Sequence, residues 1–218
     1  MFLCGDDEEA KRAGGSGLHR EPPSYVSTDR LDAFSDGVFA IAITLLALDL
    51  PRPEGNDLWH ELGHAWESYA SFIISFLTIG IIWLNHHALF DRVARADRTL
   101  LMLNVLLLLW VSIIPWPTGL VADHLSGGGA SAATAVYCAV FVGMAVTFSA
   151  VWHYARAAGH LADMTEAQVA HLGQRNSLGI GFYVAAVGIA FVVPGVSLAI
   201  CFVLGVYYLL PDRADQLT

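Results

Sequence analysis

The segment from residue 30 to residue 50, RLDAFSDGVFAIAITLLALDL, sets the tightest limit on what this chain folds into. As a helix it is about 30 Å long, enough to cross the hydrocarbon core of a bilayer. Its uncharged centre covers only the twelve residues from Gly37 to Leu48, while Arg30, Asp32 and Asp36 sit in or beside its first two turns. A carboxylate at membrane depth is costly unless it is paired or faces water. Such a helix either lies outside the membrane or is built around a buried polar site.

Composition selects the second case. Charged residues make up 14% of the chain, against about 25% in soluble domains, and the mean hydropathy is strongly positive. Apolar stretches fall at about 31–50, 66–86, 99–116, 130–154, 177–193 and 195–210, the last two separated by Val193-Pro194-Gly195. None shows β alternation, and lipid admits only helices and closed barrels. The expected fold is therefore all-α, a polytopic membrane protein with six transmembrane helices over residues 29–210. Residues 1–28, acidic and Gly-rich with Pro22-Pro23, read as a disordered cytoplasmic tail rather than a cleavable signal. Residues 211–218 form a C-terminal tail.

Charge distribution orients the bundle. With the N-terminus inside, Lys11, Arg12, Arg20, Arg30, Arg92, Arg95, Arg98, Arg156, Arg175 and Arg213 fall on one side, and Arg52 alone on the other. The positive-inside bias then places both termini in the cytoplasm, as an even helix count requires, and predicts a multi-pass protein of the cell membrane. Cys4, Cys138 and Cys201 form no CxxC pair and read as structural thiols.

On a wheel of about 100° per residue, Arg30, Phe34, Gly37, Ile41, Thr44 and Leu48 follow a 4-3-4-3-4 spacing and form one narrow stripe. Asp29, Asp32 and Asp36 cluster on the opposite side, continued by Phe39, Ala40, Ile43 and Ala47. The stripe suits either symmetric packing about an axis or ordinary helix packing. The acidic face must meet polar groups of its own subunit.

Arg30-Leu31-Asp32-Ala33-Phe34-Ser35-Asp36 matches an Arg-x-x-x-Phe-Ser-Asp signature, and AIAITLLALDL follows it. With Ile113-Ile114-Pro115-Trp116-Pro117-Thr118 at the end of the third helix, the chain resembles the transmembrane protein 175 family of potassium channels over about residues 28–210. The resemblance implies a potassium-permeable cation channel without a carbonyl filter, in which the first helix lines a central pore. Bacterial members carry one six-helix repeat and are tetramers, so a homotetramer in the bilayer is expected. It also implies that Ile41, five positions after the motif's Asp36, forms the narrowest ring, with Thr44 and Leu48 beyond it. Four Ile side chains about an axis make a hydrophobic constriction that an ion passes only by shedding part of its hydration. Potassium, more weakly hydrated than sodium, loses less there.

Turned away from that stripe, Ser35 and Asp36 read as structural fasteners. Their candidate partners near the ends of helices two and three are Asn85, His86, His87, Arg95 and Arg98, and the resemblance favours His86 or His87. His60 and His64, four apart with Glu61 and Glu67 nearby, have metal-pair spacing but read as a solvated face of an extracellular segment. Gly179-Ile180-Gly181 reads as small residues at a helix contact. Trp59, Trp66, Trp110, Trp116 and Trp152 read as interfacial anchors, and Thr165 as a helix cap. No metal, cofactor or nucleic-acid partner is expected, nor is an enzyme, since clustered nucleophile, base or metal ligands are missing. The competing class is a proton- or cation-coupled secondary transporter using Asp36 and a second-helix His as a relay.

Overall fold

The computed structural model describes residues 28–52, 57–125, 127–162 and 164–209. The two expected tails, with Cys4, Lys11, Arg12, Arg20 and Arg213, lie outside the described residues. Eight α-helices account for nearly all of the rest: α1 Thr28–Leu46, α2 Leu58–His64, α3 Trp66–Phe90, α4 Arg98–Ile113, α5 Pro115–His124, α6 Ala130–Ala157, α7 Glu166–Ala190 and α8 Pro194–Leu209. A single 3-10 turn, Ala47–Asp49, extends α1. The fold is all-helical, and all six apolar stretches lie on helices.

Two boundaries differ from the sequence expectation. The third helix, expected to end in the run from Ile113 to Thr118, continues as far as His124 by restarting at Pro115. That residue lacks the N–H to continue the ladder of α4, but its fixed φ suits a first helical position, so the chain restarts as α5. The Ser75 and Thr118 hydroxyls lie 2.8 Å apart and Thr118 Oγ1 donates to Ile114 O at 2.9 Å, tying α3 to the restart. The fifth helix begins at Glu166, well before its apolar part, because Thr165 and Gln168 form a reciprocal capping box. The expected cap at Thr165 and the expected break at Pro194 are both present.

Among the described residues, three helical runs are long and apolar enough to cross a membrane by length and composition: Trp66–Phe90, Arg98–His124 and Ala130–Ala157. The acidic start of α1, the polar first turns of α7 and the 16-residue length of α8 keep those three outside that definition.

α6 is the hub, packed against α4, α5, α7 and α8. α1 lies at the edge of this bundle and packs on α3, α4 and α5. A larger core cluster joins Phe39, Ala42 and Leu46 of α1 to Ile79, Leu107, Val111, Tyr137 and Phe141. A smaller one at the other end gathers Leu31, Phe90, Leu100, Val151 and Trp152. Of the five tryptophans expected as anchors, Trp59, Trp66 and Trp116 are exposed. The other two are packing residues: Trp110 donates to Thr147 Oγ1 at 3.1 Å, and Trp152 is buried in the smaller core. Cys138 and Cys201 are both buried thiols, their sulfurs 3.5 Å apart across α6 and α8. At Gly179 a Cβ would overlap the Tyr208 hydroxyl, so here a missing side chain does allow α7 and α8 to close; Gly181 faces open space.

The Arg-bearing loops meet at one end of the bundle. α6 ends in a Schellman turn, with Gly159 at φ 66°, its N–H on Arg156 O and the His160 N–H on Ala155 O. The chain then runs antiparallel to residues 92–94, where Ala94 N donates to His160 O and Ala162 N to Arg92 O, both at 2.8 Å. Beneath this bridge Asp97 caps α4 through the Leu100 N–H at 2.9 Å. Its carboxylate also receives the Tyr154 hydroxyl and lies 3.2 Å from His160 Nε2.

Candidate functional site: the two faces of the first helix

A helix that packs on one side only needs one apolar stripe, and α1 has two. Leu31, Ser35, Phe39, Ala42 and Leu46 are its buried residues and face α3, α4 and α5. The stripe of Arg30, Phe34, Gly37, Ile41, Thr44 and Leu48 is exposed along its whole length. Phe34, Ile41 and Leu48 are 56%, 61% and 69% exposed, while Phe39 and Leu46 are each 2% exposed. On the exposed side, Thr44 Oγ1 donates to Ile41 O at 2.9 Å. That bond occupies the hydroxyl proton and leaves the oxygen lone pairs directed outward as acceptors.

On the buried side the motif builds a polar chain through three helices. Ser35 Oγ donates to Leu31 O at 2.9 Å and accepts from Asn104 Nδ2 at 3.0 Å. Asn104 Oδ1 in turn lies 2.8 Å from His86 Nε2. With Nδ2 committed to Ser35, the amide oxygen is the acceptor, so His86 donates to it from Nε2. All three side chains are buried, which an unpaired amide or imidazole would not tolerate without a large desolvation cost. Aromatic rings hold the imidazole in place. Phe90 stacks on it with ring centroids 4.5 Å apart, and Phe39 meets it edge-on at 5.3 Å.

Asp36 has a different partner from any anticipated. Its carboxylate accepts from the Trp83 indole N–H at 2.7 Å, and the residue itself is exposed within the subunit. Trp83 in turn stacks on His87, ring centroids 5.8 Å apart. His87 stands 3.5 Å from Asp91, and Arg98 is exposed at the start of α4. Arg95 reaches Gly159 O at 3.3 Å in the loop bridge, and Asn85 donates to its own helix at Ile81 O. Of the proposed partners the structure brings His86 to Ser35 through Asn104 and His87 to Asp36 through Trp83, and neither histidine meets the motif directly. An indole N–H donates but cannot accept, so the Asp36–Trp83 bond makes no proton relay toward a histidine.

Two residues of this site were not singled out from the sequence, Asn104 and Trp83. Asn104 did carry a signal: it is the one amide in the run LLMLNVLLLLW. A lone amide at that depth must find a partner on another helix. Trp83 carried none, because an apolar ring in an apolar helix says nothing about where its N–H points.

At the loop bridge, partial burial works to raise the Asp97 pKa. The hydrogen bonds from Tyr154, the Leu100 N–H and His160 outweigh it and hold the carboxyl below its ordinary value.

The chain is thus an all-helical membrane bundle whose edge helix shows one latched face and one open face. The family model described as the endosomal/lysosomal potassium channel TMEM175 matches residues 30–115, which hold both faces of α1, His86 and Asn104. A relative from Streptomyces collinus, named a potassium channel, is 48% identical over 185 residues, covering 82% of this chain and 90% of the relative. Another from Chamaesiphon minutus, also named a potassium channel, is 37% identical over 203 residues, covering 89% and 99%. The crystal structure of a lysosomal potassium-selective channel TMEM175 homolog from Chamaesiphon minutus superposes with a TM-score of 0.76 at 37% identity, covering 86% of this chain and 98% of that one. The chain belongs to the TMEM175 family, a family of ion channels and not of enzymes.

Proposed function

We propose that this protein is a potassium-permeable channel of the cell membrane, assembled as a homotetramer around four copies of α1, with both termini in the cytoplasm. The observation that carries the reading is the open stripe of α1. It has the narrow seam spacing of a helix packed about an axis, and it is not uniformly apolar as a lipid-facing stripe would be. Gly37 and Thr44 interrupt the large side chains, and Arg30 begins it. Six helices without internal duplication cannot enclose a pore alone, so the open face needs copies of itself.

In this assembly Ile41 forms the constriction, Thr44 supplies outward hydroxyl oxygens just beyond it, and Leu48 a second apolar ring. Ile rings exclude bulk water, and the ion that crosses is the one that sheds hydration more readily. The acceptor lone pairs left on Thr44 meet a partly dehydrated cation on the far side. Modest preference for potassium over sodium follows, without carbonyl coordination. Support for the orientation comes from the two Arg-bearing loops, which the bridge between Val93 and Leu161 holds together at one end.

Potassium and sodium flux into liposomes tests the reading. Wild-type protein passes potassium faster than sodium, and Ile41→Asn, which places an amide in the ring, brings the two rates together with little loss of folded protein. Unchanged selectivity and conductance in that variant would remove Ile41 from the pathway. A monomer as the sole species by mass measurement in mild detergent would remove the tetramer.

A further inference from the structure

The short helix α2 contributes no buried residue to the fold, yet it carries two of the chain's nine histidines one turn apart. Their rings do not diverge into solvent. His60 Nε2 and His64 Nε2 approach to 3.1 Å, with ring centroids 4.3 Å apart, and both residues are exposed. Two imidazole nitrogens at about 2.0–2.1 Å from one ion stand about 3.3 Å apart in tetrahedral coordination and about 2.9 Å apart in octahedral coordination. The observed separation falls between those two edges.

We propose that His60 and His64 form a two-nitrogen chelate for a borderline transition-metal dication such as Zn²⁺, Ni²⁺ or Cu²⁺. In the metal-free pair one Nε2 donates to the other. On binding, the proton between them moves to the Nδ1 of its own ring, and both Nε2 lone pairs converge on the ion. Nothing else need be lost, because neither Nε2 has another partner among the described residues. The turn that presents the pair is itself pinned: Asp57 caps α2 by accepting from the His60 N–H at 3.2 Å. No third His, Cys, Asp or Glu joins them in a metal-holding group among the described residues, so water completes the coordination shell. Imidazole donors select these ions over Mg²⁺ and Ca²⁺, which take oxygen ligands. The surrounding Asp57, Glu61 and Glu67 raise the local concentration of any dication without choosing among them. Because the chelate spans one helical turn, an ion held there stabilises α2, an element with little packing of its own.

Calorimetric titration of Zn²⁺ and Ni²⁺ into the full chain in detergent, with any affinity tag removed, tests the site. The expected result is a site of one ion per chain whose affinity falls at least tenfold in His60→Ala and in His64→Ala alike. The double substitution costs no more than about another twofold, because a chelate is lost when either arm is lost. Acidification releases the ion, since protonated imidazole cannot bind it, and excess Mg²⁺ does not compete. The heat of binding is read independently of conduction, so the site stands or falls separately from the channel reading. As α2 buries nothing, the variants retain the elution profile of the wild type. Binding that survives undiminished in the double variant overturns the proposal, as does a small independent loss in each single variant that simply accumulates in the double.

Discussion

The two faces of α1 each carry three large apolar side chains, Leu31, Phe39 and Leu46 on one and Phe34, Ile41 and Leu48 on the other, and meet opposite fates. One face, Leu31 to Leu46, is closed by side chains from three other helices and fastened by the Ser35–Asn104–His86 chain. The other, Phe34 to Leu48, stays exposed among the described residues. Apolar content alone therefore does not say which face of a membrane helix is its core, because lipid accepts either. What separates them is a polar side chain that needs a partner. Ser35 and the Asn104 that answers it turn one face inward, and the seam-spaced side is left open by default.

Truncating one aromatic on each face tests this contrast most severely. Phe39→Ala removes a fully buried ring that also braces His86, and truncations of this kind cost about 3–5 kcal/mol. Phe34→Ala, five positions earlier on the open stripe, leaves subunit stability within about 0.5 kcal/mol. SDS titration of the two variants measures both, and equal losses would show that the open face is part of the subunit core. Asn104→Leu comes next. It keeps the space roughly filled but orphans the His86 N–H, at a cost of about 1–3 kcal/mol, read as a lower thermal midpoint with reduced yield of intact assembly.

A smaller loss is expected from Trp83→Phe, which removes the one hydrogen bond that Asp36 accepts. Within an exposed setting that bond is worth about 0.5–1.5 kcal/mol, so the thermal midpoint drops only slightly and the potassium-to-sodium flux ratio is unchanged. A collapsed ratio in Trp83→Phe would place Asp36 in the ion path. Asp97 gives the smallest effect and a distinctive pH signature. Its pKa is depressed in the fold, so its contribution is fully present above the ordinary carboxylate value of about 3.9 and is lost as pH falls through the lower folded value. Asp97→Asn lacks that contribution, so it is slightly less stable than the wild type through the neutral region, has a flatter acid limb, and its curve meets the wild type's below about pH 4.

Much of this protein was legible in its residues, because a bilayer leaves a chain few choices. Backbone groups in lipid must be satisfied within their own segment, so the apolar runs had to be helical. Thr165 as a cap, and the break at Val193-Pro194-Gly195, are local signals read over a few residues, and both mark helix starts in the structure. Spacing alone separated the Ile41 stripe from the Asp36 side, since a helix wheel needs only a period. The run from Ile113 to Thr118 was expected to end the third helix, and Pro115 instead begins another, because its missing N–H breaks one ladder while its φ starts the next.

Pairings were a different matter. Asp36 could have met any of several cations or amides, and it met Trp83, whose indole happens to project from α3 at the right height. Ser35 reached His86 only by way of Asn104, 69 positions along the chain from the serine. Asp97, Tyr154 and His160 came together because Gly159 reverses the end of α6. Each of these depends on the relative rotation of two packed helices, a few degrees of which moves a side-chain tip by more than the length of a hydrogen bond's tolerance. Periodicity along one segment carries no information about that rotation. The helices, their caps and the polarity of their faces were thus determined by the sequence, through the backbone's need for hydrogen bonds and the bilayer's intolerance of charge. Which polar groups meet was decided by the tertiary structure, through the close packing that sets helix against helix.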